Sequence, residues 1–510
     1  MKDERQPSNA SAPSRAVVIG SGFGGLAAAV RLRARGYDVT VLERLDRAGG
    51  RGRSFVQDGF TFDSGPTIVT APFLFEELWQ LCGRRFSDDI DLRALDPYYR
   101  IVFDDGGHFD AFADDAAMQR EVARIAPDDL EGYDRFMQHS ERLFRIGFEK
   151  FGHVPIDSLG QMVSMVPDLV RARADRSVHA VVSDYVKHPY LRFALSYHPL
   201  FIGGNPFRAS SIYCMISYFE RHWGVHYAMG GMGALVNGLV GLIEGQGSTI
   251  RTNAEVAEVT VANGRATGVR LASGEVIAAD IVVSNADTAT TYQKLLAGAP
   301  RKRWTDSKLD RASYSMSCFV WYFGTKRQYP DVPHHTILVG ERYREHIADI
   351  FDRKVLAEDF SLYLYRPTAT DPSLAPDGCD SFYALSPVPH LDSGVDWSTR
   401  AEPYRAAIER QLSQTLLPGL ADEIATSRLF TPRDFQDVLL SRKGAAFGIE
   451  PVLTQSAWFR PHNKSEDIDG LYLVGAGTHP GAGVPTVLSS ARVLDVVVPD
   501  PMSTAARVAV

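Results

Sequence analysis

The chain has 510 residues, of which 45% are apolar and 23% charged, and its formal net charge is −8. This length exceeds that of a single hydrophobic core, so we expect two or three domains with the composition of an ordinary globular protein. The negative net charge argues against nucleic-acid binding as the main activity.

The first 14 residues are polar and lack the apolar segment of a signal peptide, so 1–14 is predicted to be a disordered tail. The most apolar stretch, 197–219, is interrupted by Asn205 and Arg208, and we expect no helix that spans a membrane. The four cysteines are scattered without the Cys-x-x-Cys spacing of zinc and redox sites. We therefore expect reduced thiols in a cytoplasmic protein, and no metal site.

The first predicted elements form a strand, a glycine-rich turn and a helix. The apolar, β-branched run 16–19 predicts a buried strand, the sequence GSGFGG follows it, and helical periodicity covers 26–35. In such a turn one glycine closes the bend, a second lets a pyrophosphate approach the backbone, and a third lets helix and strand pack closely. These are Gly20, Gly22 and Gly25, and the helix N-terminus offers its N–H groups to phosphates.

A second strand, 38–42, ends at Glu43, where a carboxylate can accept a ribose hydroxyl. The strand, helix and acidic residue together indicate a dinucleotide site, and the alternative is a glycine-rich turn without a ligand. The ligand itself stays open between NAD and FAD. Gly49, Gly50 and Arg51 favour FAD, because an arginine here can reach the diphosphate of an extended ligand.

Two later segments are expected to return to the nucleotide, which makes the FAD-binding domain discontinuous over 15–70, 230–290 and 465–497. The second segment contains a predicted three-stranded meander, with Val256 as a further cofactor-binding candidate, and a buried strand at 281–286. The third is a strand that ends in glycines. Close backbone approach to the flavin makes Gly475, Gly477 and Thr478 candidates there.

The remaining chain is expected to form a mostly helical insertion over 111–223 and a mixed substrate domain over 71–110 and 291–464. Gly231 and Gly233 are followed by Val236 where a third glycine would be needed, so no NAD(P) domain is expected. Electrons from a reduced flavin would then leave to oxygen, a quinone or another redox partner.

Apolar residues recur at helical intervals between Ile156 and Arg176, and this stretch ends in three arginines. One interpretation is an interfacial helix whose apolar face enters lipid. The other is a core-packed helix with a solvated end and a kink at Pro167, and periodicity alone favours it.

Two residues are candidates for catalysis. His198 lies in an aromatic, small-residue segment and could accept a proton, although such a histidine is more often a hydrogen-bonded core residue. Arg460 precedes the last predicted flavin strand, where it either holds negative charge on reduced flavin or pairs with an acidic side chain. No GxSxG, HExxH or P-loop pattern supports a hydrolase, a zinc protease or an NTPase.

Seven sequence blocks occur in order along the chain: GSGFGGLAAA, LERLDRAGGR, FTFDSGPT, FIGGNPF, PVPHLDSGVDW, EPVLTQSAWFRPHN and LYLVGAGTHPGAG. In these blocks, from Val17 to about Leu494, the sequence resembles the bacterial phytoene desaturases of the carotenoid pathway. The resemblance implies an α/β fold with a Rossmann-like FAD domain of the amine-oxidase or glutathione-reductase type, a mixed α+β substrate domain and a helical insertion that can face a membrane. It also implies FAD as cofactor and peripheral attachment to the inner face of the cytoplasmic membrane.

The implied reaction is stepwise dehydrogenation of the long polyene hydrocarbon phytoene to neurosporene or lycopene. Flavin would accept a hydride from an allylic carbon, and the neighbouring proton would pass to a base or to water. Because a C40 hydrocarbon resides in the bilayer, the enzyme must open toward lipid. This favours the helix between Ile156 and Arg176, or the aromatic segment after it, as the docking surface. The alternatives are a desaturase of a later carotenoid, an amine-oxidase-like flavoenzyme, and a polyprenyl-lipid carrier without redox chemistry.

Two departures from the family pattern concern the substrate. Gln161 and Ser164 stand where relatives carry an acidic and a basic residue, so an acid or base role does not transfer to them. The closing block, usually PGVIGSA, reads PTVLSSA here, with Thr486 and Ser489 in place of glycines. The larger side chains put the usual cavity shape in question.

Overall fold

The computed structural model describes residues 14–501. Its described residues contain nineteen strands: β1 (Arg15–Ile19), β2 (Asp38–Leu42), β3 (Ser54–Gln57), β4 (Phe60–Asp63), β5 (Leu92–Ala94), β6 (Tyr99–Val102), β7 (His108–Ala111), β8 (His226–Ala228), β9 (Thr249–Arg251), β10 (Val256–Ala262), β11 (Arg265–Leu271), β12 (Val276–Ala278), β13 (Ile281–Ser284), β14 (Ser317–Thr325), β15 (His335–Leu338), β16 (Leu362–Tyr365), β17 (Asp380–Val388), β18 (Ile424–Phe430) and β19 (Leu471–Leu473).

The same part of the chain contains fifteen α-helices: α1 (Phe23–Ala34), α2 (Pro72–Leu81), α3 (Asp115–Ile125), α4 (Leu130–Phe144), α5 (Leu159–Arg171), α6 (Val178–Tyr185), α7 (Pro189–Ala194), α8 (Met215–His222), α9 (Met232–Gly245), α10 (Asp306–Arg311), α11 (Tyr343–Ala348), α12 (Trp397–Gln414), α13 (Leu420–Glu423), α14 (Pro432–Asp437) and α15 (Val484–Val497). Within this range, no helix is both long enough and apolar enough to cross a bilayer. The predicted tail, 1–14, lies outside the described residues except for Ser14.

A five-stranded parallel sheet in the order β19-β13-β1-β2-β9 forms the centre of the predicted nucleotide-binding domain. Its β1 is almost wholly buried, because β-branched side chains on both faces pack against helices such as α1. Helix α1 also packs against α9 and α15. Since the strands are parallel, the segments that follow β1, β13 and β19 meet at one edge, where ligands bind in such sheets.

The predicted secondary structure of this domain agrees closely with the observed elements. Strand β2 has the predicted bounds, and the meander appears as the antiparallel sheet β10-β11-β12. Helix α1 begins three residues before Leu26, because the glycines of its first turn are invisible to a pattern of apolar residues. Strand β19 is shorter than predicted, since the backbone turns away at Gly475, where φ is +94°.

A seven-stranded sheet in the order β18-β14-β17-β16-β15-β6-β7 forms the second layer. Side chains alternate along β14. Phe319, Trp321 and Phe323 pack on the side covered by α12, and Cys318 and Tyr322 face the core shared with α1. This second face is the one turned toward the predicted nucleotide site.

Helices α3 to α8 lie within the predicted helical insertion, and one of them differs from its neighbours. Helix α5 buries Met165 but leaves four apolar side chains between 45% and 68% exposed: Leu159, Val163, Val166 and Val170. They recur at helical spacing on one face, which we call the α5 apolar face. The core-packed interpretation of this face is therefore wrong. The domain boundaries given above stay predictions.

Candidate flavin-binding site

The turn between β1 and α1 requires glycine at two positions. Gly20 has a φ of +86°, which favours glycine, and a Cβ on Gly25 would lie 2.0 Å from the Gly20 carbonyl oxygen. No side chain caps the N-terminus of α1, and its first turn contains no acidic residue. The N–H groups and the positive end of the helix dipole are thus available to an anion.

Asn285 is a residue of this site that the sequence interpretation did not single out. It follows β13, and hypothetical Cβ atoms on Gly22, Gly24 and Gly475 would lie 2.9, 2.6 and 2.5 Å from its amide group. Its Nδ2 donates to the Gly20 carbonyl at 3.5 Å. The Asn285 side chain therefore sets the spacing between the glycine segments that follow β1 and β19. In the sequence, the sign of this role is a polar residue directly after a buried strand.

Glu43 is buried beside the same turn. Its carboxylate accepts the Ser21 N–H at 2.9 Å and the Ser21 hydroxyl at 2.6 Å, and its other oxygen accepts the Leu45 N–H at 2.9 Å. Oε1, which accepts only the Leu45 N–H, retains the acceptor capacity that a ribose hydroxyl would require. Val256 begins β10 close by, since the Ala254 N–H donates to the Glu43 carbonyl oxygen.

Gly49, Gly50 and Arg51 lie against the first turn. Gly49 and Gly22 form a parallel bridge, and a Cβ on Gly50 would lie 3.2 Å from the Gly22 Cα. Arg51 donates from Nη2 to the Ser441 hydroxyl at 2.7 Å, while its buried Nε has no partner within residues 14–501. Burial lowers the Arg51 pKa and the nearby Asp287 opposes this shift. A diphosphate oxygen would satisfy the unpaired Nε–H.

The segment after β19 approaches the site through its backbone. Gly475 donates its N–H to the Ser490 hydroxyl at 2.8 Å, and a Cβ on Gly477 would lie 2.1 Å from Thr288 Oγ1. Thr478 donates its hydroxyl to the Pro461 carbonyl at 2.6 Å. The two glycines let the backbone of this loop pack against Asn285 and Thr288, and the Thr478 side chain holds the loop in place.

Arg460 is 1% exposed, and burial lowers its pKa. Its guanidinium donates to the carbonyls of Thr478 at 3.1 Å and Ala476 at 2.6 Å. The ion pairs of residues 14–501 do not include it, so the acidic partner considered in the sequence analysis is wrong. Arg460 instead fixes the loop after β19 and places a buried positive charge behind it.

His198 is buried, and its Nε2 lies 2.9 Å from Glu220 Oε2. Its ring stacks on Tyr197, and its Nδ1 has no partner in the part of the chain that the structure describes. The buried hydroxyls of Tyr133 and Ser217, also without partners, line the same small cavity. This arrangement resembles a hydrogen-bonded core histidine, and its catalytic role stays a prediction.

A second feature missed by the sequence interpretation lies between the two sheets. Four tyrosine hydroxyls of the seven-stranded sheet bond the segment 63–67: Tyr365 to Asp63 at 2.9 Å, Tyr322 to the Ser64 carbonyl at 2.9 Å, Tyr383 to the Gly65 carbonyl at 3.0 Å, and Tyr363 to Thr67 at 2.7 Å. A Cβ on Gly65 would lie 2.4 Å from the Arg51 carbonyl. The tyrosines thus hold this segment between the sheet and the Arg51 turn.

Five apolar side chains that pack against the core containing residues of both sheets remain partly exposed: Phe201, Tyr363, Leu385, Phe447 and Val484. The rings of Phe201 and Tyr363 are 6.0 Å apart, and Tyr363 pairs with Leu385 across β16 and β17. We call this group the inter-domain apolar cluster. It is the candidate region for an apolar substrate next to the dinucleotide site.

Comparison with known proteins identifies the cofactor of this site. Residues 23–493 match the family described as flavin-containing amine oxidoreductases. Over 96% of this chain and 95% of the relative, the sequence is 51% identical to the neurosporene-forming phytoene desaturase of Rhodobacter capsulatus. It is 47% identical to the lycopene-forming phytoene desaturase of Pseudescherichia vulneris, covering 94% and 97% of the two chains.

The chain belongs to the bacterial phytoene desaturase family, within the flavin-containing amine oxidoreductases. Among solved structures, an oxidoreductase from Methanosarcina mazei superposes with a TM-score of 0.61 at 17% identity, covering 95% of this chain and 99% of that one. This likeness supports the fold alone. The predicted family, the α/β flavin-enzyme fold and FAD as the cofactor are confirmed.

The residues present fit FAD. The uncapped N-terminus of α1 and the unpaired Arg51 Nε suit the diphosphate, and Glu43 suits the ribose. The glycine segments around Asn285 leave backbone, not side chains, along the line from the first turn to the loop after β19. That line is the direction in which an extended flavin dinucleotide would run.

We expect Glu43→Ala to weaken FAD binding by roughly 1.5–3 kcal/mol, about ten- to hundredfold, because it removes a hydrogen bond to a charged acceptor. The measurement is titration of apoprotein with FAD, followed by quenching of flavin fluorescence. Glu258→Ala is the matched control, because that carboxylate is exposed on β10 and pairs with Arg270. Equal affinities of the two variants would show that Glu43 does not contact the ribose.

Proposed function

We propose that this chain is an FAD-dependent desaturase that converts phytoene to more conjugated carotenes, neurosporene or lycopene, by stepwise dehydrogenation. The observation that carries this proposal is 51% identity to a phytoene desaturase along nearly the whole of both chains. The inter-domain apolar cluster supports it, since a hydrocarbon needs an apolar path to the flavin. A polyprenyl-lipid carrier would need no diphosphate-binding turn, and the site geometry therefore disfavours that alternative.

When bound, FAD supplies the hydride acceptor that no protein side chain offers. The protein orients it through the first turn and Arg51, and it holds the loop after β19 through Arg460. Phe201 and Tyr363 then present aromatic faces to the substrate and keep water away from the reacting carbons.

Gln161 and Ser164, which depart from the family pattern, both have local structural roles in α5. Gln161 completes a capping box with Ser158 at the start of α5, and the Ser164 hydroxyl donates to the Gln161 carbonyl at 2.7 Å. Both side chains are exposed. The acidic and basic residues of relatives therefore have no equivalent at these two positions. The proton lost from the substrate must leave through other groups.

The closing block adds side chains at the start of α15. Thr486 donates its hydroxyl to the Ala482 carbonyl at 2.6 Å, and Ser489 donates to the Pro485 carbonyl at 2.9 Å. The helix thus satisfies both hydroxyls internally, so neither needs a polar group on the substrate. Ser489 is buried, so only the partly exposed Thr486 adds bulk at the start of α15 where a polyene could meet it.

We expect FAD-loaded protein on phytoene-containing liposomes to bleach its flavin absorbance when oxygen is excluded, and to form carotenes with more conjugated double bonds. Turnover should then resume with oxygen or a quinone as acceptor. Flavin that stays oxidised with phytoene but bleaches with a later carotene would transfer the assignment to the later-carotenoid alternative. Bleaching by a primary amine alone would favour an amine-oxidase-like enzyme.

We propose that electrons leave the reduced flavin to oxygen or a quinone and not through an NAD(P) domain. The hydrogen bonds around Gly231 and Gly233 support this proposal. The N-terminus of α9 is met by the Asp63 carboxylate, which accepts the Met232 N–H at 2.9 Å, and by the Ser54 hydroxyl, which accepts the Gly233 N–H at 3.0 Å. Burial raises the Asp63 pKa, while these hydrogen bonds lower it. A phosphate has no room where this carboxylate lies.

We further propose that the α5 apolar face docks on the cytoplasmic surface of the inner membrane. Leu453 and Phe459 add exposed apolar surface, and Phe459 belongs to a turn that contacts α5. The three arginines that follow are all ion-paired, Arg171 with Asp168 and both Arg173 and Arg176 with Asp184, so two carboxylates offset part of their positive charge. The docking is therefore apolar more than electrostatic, as expected for a chain of net charge −8.

A further inference from the structure

A chain of three hydrogen-bonding side chains crosses from the segment after β4 into the seven-stranded sheet. Thr67 Oγ1 lies 2.7 Å from the Tyr363 hydroxyl, which in turn lies 2.7 Å from His335 Nδ1. His335 is fully buried, and its Nε2 has no hydrogen-bond partner among the described residues. Tyr363 is partly exposed in the inter-domain apolar cluster, so its hydroxyl connects that cluster to a buried imidazole.

The position of this chain relative to the cofactor site follows from the segment that carries Thr67. Gly65, two residues earlier, packs directly on the Arg51 backbone. On the other side, the Tyr363 ring faces Phe201. The Tyr363 hydroxyl is thus a polar group next to both the flavin turn and the apolar substrate region.

We propose that Tyr363, backed by His335, is the group that accepts the proton lost from the substrate at each desaturation step. This inference rests on the proposed function. Each step breaks two C–H bonds on adjacent carbons and forms one C=C bond. One hydrogen leaves as a hydride to FAD, and the other leaves as a proton to the Tyr363 oxygen while the phenolic proton moves to His335 Nδ1. The imidazolium returns its proton through Tyr363 to water after the product has moved on.

The chemistry requires a neutral base, not a strong one. Once a hydride has left one carbon, the C–H bonds of the adjacent carbon are highly acidic. A phenol that is hydrogen-bonded to an imidazole is therefore a sufficient base. Burial lowers the pKa of His335 and raises that of Tyr363, so both are neutral near pH 7. The titratable neighbours are His334, which directly precedes β15, Tyr99 on β6 and Tyr365 on β16, and Tyr365 binds Asp63.

The other candidates are committed to different partners. His198 Nε2 is paired with Glu220, and Arg460 can only donate hydrogen bonds. Gln161 and Ser164 are exposed on α5. Tyr363 combines a hydroxyl at the apolar cluster with a histidine behind it.

The test compares Tyr363→Phe with the matched control Tyr383→Phe in the full-length, FAD-loaded protein. Tyr383 lies on the neighbouring strand and donates its hydroxyl to the Gly65 carbonyl, so both changes remove one bond to the same segment. FAD content and melting temperature should be alike in the two variants. Single-turnover desaturation on phytoene liposomes should fall by about a hundredfold or more in Tyr363→Phe, and by less than about threefold in Tyr383→Phe.

A pH profile separates proton transfer from positioning. The wild-type rate should be flat from about pH 6 to about pH 9, because the base is already neutral. In Tyr363→Phe the residual rate should rise with pH, since water and hydroxide must take the proton. His335→Gln, which keeps an acceptor but cannot hold a proton, should show the same slope.

Equal rates in Tyr363→Phe and Tyr383→Phe, or a flat profile in both Tyr363→Phe and His335→Gln, would overturn this inference. A wild-type enzyme that leaves phytoene unchanged would instead contradict the proposed function. The two failures are therefore distinguishable in the same set of measurements.

Discussion

Gly22→Val should abolish FAD binding and leave a folded, colourless protein. The backbone at Gly22 has a φ of −68° and a ψ of 172°, which valine adopts readily, so the change does not strain the turn itself. Its Cβ would meet Asn285 Nδ2 at 2.9 Å, and the branched side chain would project where the diphosphate must touch the backbone. We expect at least a hundredfold loss of affinity, about 2.7 kcal/mol.

The matched control is Gly241→Val in α9, where an added Cβ meets open space. Both proteins are compared by flavin absorbance after purification and by circular dichroism. The control should retain its flavin, because valine is tolerated in a helix interior at least as well as glycine. A Gly22→Val protein that purifies with a full complement of FAD would show that the cofactor does not lie on the β1–α1 turn.

The double change Val163→Asp and Val170→Asp should release the protein from membranes. Both side chains are more than 60% exposed on the α5 apolar face, so the folded state loses little, whereas lipid binding loses two apolar contacts and must bury two charges. We expect the partition coefficient onto neutral liposomes to fall by at least about tenfold. The measurement is flotation on a density gradient.

Val276→Asp with Val355→Asp is the control pair, because both valines are about half exposed and lie outside α5. Wild-type binding should persist in 1 M salt, where the screening length is about 3 Å. Release of the wild type by salt would indicate headgroup attraction instead. Unchanged flotation of the α5 double variant would show that another surface meets the membrane.

Local patterns in the sequence predicted the elements that depend on neighbours along the chain. Short apolar, β-branched runs predicted β1, β2 and β13, and strands separated by tight turns predicted the meander β10-β11-β12. Gly20 and Gly25 were predictable as well, since a left-handed backbone and a close helix–strand contact each exclude a side chain.

Residues whose role depends on strand order were not predictable in this way. Asn285 meets three glycines only because β13 lies between β1 and β19. His335 reaches Tyr363 only because β15 pairs with β16 in one register. Arg460 binds backbone carbonyls, and any residue type supplies a carbonyl, so its partners leave no trace in the sequence.

The α5 helix shows a different limit. An apolar helix face has the same periodicity whether protein or lipid covers it. Periodicity alone favoured a core-packed helix. In the described part of the chain, however, Leu159, Val163 and Val170 are each more than 60% exposed. Which side of the helix is covered is decided by tertiary packing.

Expression of the chain in cells that accumulate phytoene tests the central claim most directly, with pigment extraction and chromatography as the measurement. We predict that phytoene declines and that coloured carotenes, neurosporene or lycopene, appear, while Gly22→Val cells stay colourless. Colourless cells with unchanged phytoene, despite soluble and FAD-loaded wild-type protein, would contradict the assignment of phytoene as the substrate.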